Sequence, residues 1–124
     1  MLAALSIGAY VCIASEDGRT SDLAGEVQRP QANWAFLTPS VASALGTANV
    51  VMLQTLVLGE VAVTEEDTRK WVPGRSLFNR YGVTEAAALN VMRQLSVNSH
   101  TWLTPVGAVG ELVPTFLLPV YIRR

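Results

Sequence analysis

The chain has 124 residues, of which 50% are hydrophobic, 15% charged and 7% aromatic, with a formal net charge of -1. That length holds one domain around one core, and so apolar a chain with so little net charge is not a disordered one. One cysteine and no visible repeat exclude a disulfide framework and a solenoid. The basic residues are arginines apart from Lys70, and they bring no excess of positive charge. A general polyanion binder is therefore excluded, and nucleic acid could be met only through a local arginine patch. The charged share also falls below the roughly 25–35% of a typical designed soluble surface, so part of the surface is expected to be covered by other subunits.

The opening residues, Met1-Leu2-Ala3-Ala4-Leu5-Ser6-Ile7, lack the basic stretch that precedes the apolar part of a signal peptide, and they are read as packed chain. Ile7 to Ala14 is β-branched and aromatic and reads as a strand, with Cys12 as a small buried hydrophobe. The polar run from Ser15 to Asp22 reads as a surface loop, and Gln28-Arg29-Pro30-Gln31 as an extended connector. Thr38-Pro39-Ser40 places a capping hydroxyl before a first-turn proline, which predicts a short helix through Leu45 to Gly46. Asn49 to Leu58 is apolar enough for a central strand, with Gly59 as a turn or bulge and Val61-Ala62-Val63 continuing. Thr64-Glu65-Glu66-Asp67-Thr68-Arg69-Lys70 reads as a capped helix with its charges ordered to suit the helix dipole.

The clearest predicted helix runs from about Glu85 to Ser96, with Thr84 as N-cap and Ala88, Val91, Met92 and Leu95 on one face. Thr101 to Ile122 carries Pro105, Pro114, Pro119, Gly107, Gly110 and Glu111, which suit strands and tight turns better than a membrane-spanning helix. The expected whole is a small single α+β domain over residues 1–124, with several short strands and two or three short helices, forming one part of a larger assembly.

Ser76 to Arg93 has the outline of a helix-turn-helix: Gly82 leaves the first helix, Val83 enters the core of the pair and Thr84 caps the second helix. Together with Val72-Pro73-Gly74-Arg75, the stretch from Met52 to Leu95 resembles the opening of a GntR-type winged-helix domain. That resemblance implies a second helix in the major groove offering Thr84, Glu85, Ala86, Asn90 and Arg93, with Arg75 and Arg80 near phosphates. The sequence departs from the family at Phe78, where the helices would cross, at Leu89, which would face DNA, and at Gly107 to Val113, which replaces a basic wing.

Catalytic chemistry leaves little trace. His100 is the single histidine, and with Cys12 it makes at best an isolated pair rather than a metal site. Glu65-Glu66-Asp67 do not face one point on a helix, Gly107-Ala108-Val109-Gly110 lacks the lysine of a phosphate loop, and no nucleophile elbow is present. No catalytic, metal or cofactor residue is assigned. The leading expectation is a non-enzymatic structural subunit of a large symmetric assembly, with a virus or phage capsid shell as the setting. It would act through subunit contacts at Leu2, Leu5, Trp34, Trp71, Trp102, Phe116 and Tyr121. Its partners would be other subunits, and its place a virion or intracellular particle or, failing that, the cytoplasm. The alternative is a winged helix-turn-helix regulator touching DNA through Arg75, Arg80, Thr84, Glu85, Asn90 and Arg93.

Overall fold

A computed structural model describes residues 5–81, 91–97 and 121–123. In chain order these form β1 (Tyr10–Cys12), α1 (Glu16–Ser21), α2 (Leu23–Gln28), β2 (Trp34–Leu37), α3 (Pro39–Leu45), a 3-10 turn (Thr47–Val50), β3 (Thr55–Gly59), α4 (Glu65–Trp71), β4 (Ser76–Tyr81), β5 (Val91–Leu95) and β6 (Tyr121–Arg123). The strands form one mixed sheet in the order β1-β6-β2-β3-β4-β5. Its centre, β2-β3-β4, is parallel; β5 adds antiparallel to β4, and β6 runs antiparallel to both β1 and β2. The α+β class expected from the pattern is the class observed.

The parallel centre explains why β2 (WAFL) and β3 (TLVLG) are apolar almost throughout. Strands buried on both faces show no alternation of polar and apolar residues. Across the ladder Ala35, Leu56 and Leu77 stand side by side, as do Leu37, Leu58 and Asn79, while Phe36, Val57 and Phe78 line the other face. The apolar members of the first two rows pack with Val27, Ala42, Leu45, Val50, Leu53, Val63 and Trp71 into a single core. Trp71, at the end of α4, is fully buried, with 0% of its surface exposed.

Helix starts follow their capping side chains. Thr38 Oγ1 accepts from Val41 N at 3.5 Å with Pro39 behind it, and Gly46 closes α3 at φ 73°. Thr64 and Asp67 form a reciprocal capping box, Asp67 N donating to Thr64 Oγ1 at 3.1 Å and Thr64 N to Asp67 Oδ2 at 2.9 Å. Both helices were expected. The stretch from Ser15 to Asp22, read as loop, is helical instead, because its polar residues are caps. Ser15 Oγ accepts from Gly18 N at 3.0 Å to start α1, and Asp22 Oδ1 accepts from Gly25 N at 3.0 Å to start α2. The Glu26 carboxylate then reaches back to accept from Ser15 N at 3.0 Å, tying the two helices together.

Three further expectations are corrected. In Asn49 to Leu58 only the second half is strand; Val50 and Leu53 are apolar because the 3-10 turn Thr47–Val50 and the tight turn after it, closed by Leu53 N donating to Val50 O at 3.0 Å, press both into the core. Val61 to Val63 does not continue β3, since Glu60 leaves the strand at φ 71° and only Val63 returns to the core. The helix expected over Glu85 to Ser96 is also overturned: Val91–Leu95 is a strand in register with β4, Leu95 opposite Leu77 and Arg93 opposite Asn79. A five-residue ladder satisfies that backbone, and so short an apolar pattern fits either period. Residues 82–90, with the expected cap Thr84, lie outside the described residues, as do 98–120, where strands and tight turns were expected. Among the described residues no helix is long and apolar enough to cross a membrane.

Candidate functional site

Sheets with parallel strands bind ligands beyond the carboxyl ends of those strands, where loops leave the rigid ladder. Here β2, β3 and β4 run the same way and end together, with Leu37, Leu58 and Asn79 in one row and Gly59 beside Arg80 in the next. Beyond β2 lie Thr38 and Ser40, their hydroxyls 3.1 Å apart. Beyond β3 lie Gly59 and the left-handed Glu60. Asn79 is a polar side chain at the end of an otherwise apolar row, only 7% exposed.

The opposite face of this edge is closely packed. A Cβ at Gly59 would lie 2.8 Å from Phe36 Cε2 and 3.2 Å from the Arg80 carbonyl oxygen, so glycine is required for the ring to lie where it does. The Arg80 guanidinium carbon stands 4.7 Å from the centroid of that ring. Burial pushes the Arg80 guanidinium below its ordinary pKa, and the Glu60 carboxylate partly opposes this. The edge therefore offers two hydroxyls, a buried amide and a stacked cation, groups suited to orienting a polar, negatively charged ligand. Among the described residues no group of three or more His, Cys, Asp or Glu side chains is placed to hold a metal ion. A separate open cleft of about 340 Å³ lies between α1, α2 and α3, lined by Arg19, Asp22, Leu23, Val41, Leu45 and Asn49.

Sequence reasoning had not picked out Thr38, Ser40 or Asn79 as a group, and the residues it did pick out are dispersed. Of the expected subunit contacts, Leu5 is 54% exposed, Trp34 is half-buried at the start of β2, and Trp71 is core. Tyr121 pairs with Cys12 through the β6 backbone, and Leu2, Trp102 and Phe116 lie outside the described residues. Of the expected DNA contacts, Arg75 precedes β4 at the amino edge, Arg80 lies near its carboxyl end and Arg93 stands on β5; Thr84, Glu85 and Asn90 lie outside the described residues. Ser76–Tyr81 is a strand, so the first helix of the helix-turn-helix is absent, and Val91–Leu95 is a strand where the second was to end.

No protein-family model matches the chain. Its fold is that of part of an adenylation domain. It superposes on the Vibrio cholerae adenylation domain AlmE, solved with glycyl-adenosine-5'-phosphate, with a TM-score of 0.59 at 18% identity, covering 69% of this chain and 18% of that one. It also superposes on PA1221, a nonribosomal peptide synthetase protein containing adenylation and PCP domains, with a TM-score of 0.54 at 22% identity, covering 60% of this chain and 16% of that one.

Sequence similarity extends further. The chain is 48% identical to nonribosomal peptide synthetase 13 of Aspergillus fumigatus over 109 residues, 88% of this chain and 5% of that protein. It is 36% identical to nonribosomal peptide synthetase GRA1 of Gibberella zeae over 130 residues, 88% of this chain and 2% of that protein. The chain thus spans only a small part of the curated relatives it matches. These relatives overturn the capsid and DNA-regulator expectations together with the non-enzymatic reading. Shell subunits as partners and a virion or particle as location fall with them, since the relatives are synthetases.

Proposed function

We propose that this chain is a segment of the adenylation unit of a nonribosomal peptide synthetase, and that its carboxyl edge forms one wall of the site where an amino acid is joined to AMP. The observation that carries this reading is the 48% identity to a peptide synthetase over 88% of the chain. The fold shared with an adenylation domain solved with an aminoacyl adenylate supports it.

The reaction defines what the wall does. The amino-acid carboxylate attacks the α-phosphorus of ATP, a C–O–P anhydride bond forms, and the bond to the leaving pyrophosphate breaks. Little covalent work falls to the protein, so positioning and charge stabilisation carry the rate. Thr38 and Ser40 are neutral groups at the start of α3 directly after β2, and Asn79 is held within the ladder itself, a fixed placement that suits orienting a nucleotide. Arg80, stacked on Phe36, supplies positive charge at the same edge. The remainder of the unit supplies the other walls, and the partners are neighbouring domains of the same synthetase.

The test is a graft. The segment replaces its counterpart in the Aspergillus fumigatus synthetase, and amino-acid-dependent exchange of labelled pyrophosphate into ATP is measured. A folded chimera that retains exchange supports the proposal; a chimera that melts like the parent but forms no adenylate overturns it.

A further inference from the structure

We infer that Trp71 and Arg75 form a recessed donor site for a carboxylate group at the amino edge of the sheet, remote from the carboxyl edge and independent of the synthetase reading. Arg75 follows the turn Val72-Pro73-Gly74, in which Gly74 has φ 79° and Arg75 N donates to Val72 O at 3.3 Å. The next residue, Ser76, donates its N–H to Gln54 O at 2.8 Å, so the backbone carrying Arg75 is pinned to the neighbouring connection. Its guanidinium carbon lies 5.0 Å from the centroid of the buried Trp71 ring. Lys70 Nζ stands 5.8 Å from the same ring while donating to Ser43 O at 3.1 Å.

Among the described residues, Trp71 Nε1 and Arg75 Nε and Nη1 are buried with no hydrogen-bond partner. All three are donors and none can accept. Buried polar groups in native proteins are nearly always paired, so three neighbouring donors of one polarity specify the missing chemistry: an acceptor. The guanidinium keeps its charge, which specifies an anionic one. Among the described residues the ion pairs of Arg29 and Arg69 take up Asp22, Glu26 and Glu65, and none reaches Arg75. Burial alone pushes the Arg75 pKa below its ordinary value, as expected for a cation without a counter-charge. A carboxylate is small and planar and carries two acceptor oxygens, which matches the fork of a flat guanidinium. It would come from a side chain of an adjoining polypeptide segment or from a small free acid.

The experiment follows the indole N–H resonances of the 15N-labelled 124-residue chain, which has 3 tryptophans. The Trp71 signal is assigned by elimination with Trp34→Phe and Trp102→Phe. Sodium formate is titrated against sodium chloride at constant ionic strength, and N-acetylaspartic acid amide is the second probe. A saturable downfield shift of the Trp71 indole with formate, absent with chloride and abolished in Arg75→Met, is expected. In Arg75→Lys, which keeps the charge but loses the planar fork, formate affinity falls by about tenfold or more. A response to both probes identifies a site that a protein side chain can enter; a response to formate alone identifies a site for a small free acid. No response to either, an equal response to chloride, or a response unchanged in both Arg75 variants overturns the inference.

Discussion

Gly59→Ala probes the packing that closes the candidate edge. Gly59 has ordinary strand geometry, so alanine should improve the intrinsic strand preference by about 0.5–1 kcal/mol. The space argues the other way. The new methyl would sit 2.8 Å from Phe36 Cε2, 3.2 Å from Phe36 Cζ and 3.2 Å from the Arg80 carbonyl oxygen, against ordinary contacts of about 3.5–4.0 Å. The carbonyl belongs to the ladder, and the ring is only 7% exposed with Arg80 stacked on it, so neither neighbour can yield freely. Overpacking of this kind costs about 1–3 kcal/mol, leaving a net loss of up to about 2.5 kcal/mol and a melting temperature lower by up to about 10 °C. Urea and thermal melts would measure it. Phe36→Leu removes both offending ring atoms, so in that background Gly59→Ala should cost less, with a coupling of about 1 kcal/mol. A stabilising Gly59→Ala, or strict additivity of the two changes, would refute the packing described.

Three further outcomes are expected. Thr64→Ala should lower stability by about 1–2 kcal/mol in urea melts, because it removes the acceptor for Asp67 N and one of the donors to the buried Asp67 carboxylate. The hydrogen bond from Ser15 N, with help from Arg29, holds the Glu26 carboxyl below its ordinary value of 4.5. A depressed folded-state pKa contributes stability that is present above the unfolded value and lost as pH falls through the folded one. Glu26→Gln should therefore melt lower than the parent at pH 7, and the gap should close as the pH falls through the depressed value of this carboxyl. Glu60→Gly, at a position with φ 71°, should raise stability by up to about 1 kcal/mol by relieving left-handed strain, checked by the same melts.

Local signals were legible in the sequence where one capping side chain decides the structure. Thr38 before Pro39 and Thr64 before its acids mark α3 and α4, because a cap acts within four residues and needs no distant partner. Ser15 and Asp22 obey the same rule, but crowded polar residues there looked like solvent-facing loop. Ser76 to Tyr81 misled for the opposite reason. Leu77 and Asn79 face the core while Phe78 and Arg80 take the other side, so a strand covered on both faces shows no alternation and its polar members imitate the outer side of a helix. The candidate site was illegible for a non-local reason, since Thr38, Gly59 and Asn79 meet only through the parallel register of three separate strands. The scarcity of charge was read as a sign of burial against shell subunits. On the proposed function the same scarcity, with Leu5, Ile7, Tyr10 and Ile13 exposed, belongs to a segment that packs within a much longer synthetase.

Photolabelling would test the placement of the site most directly. The grafted synthetase would be irradiated with a photoreactive, non-hydrolysable aminoacyl-adenylate analogue, with unlabelled adenylate as competitor, and the labelled peptides mapped. Competed label on residues 38–41 or 59–61 is the expected result, because these lie at the carboxyl ends of β2 and β3. Competed label confined to residues 51–54 and 72–76, at the amino ends of β3 and β4, would contradict a site at the carboxyl edge.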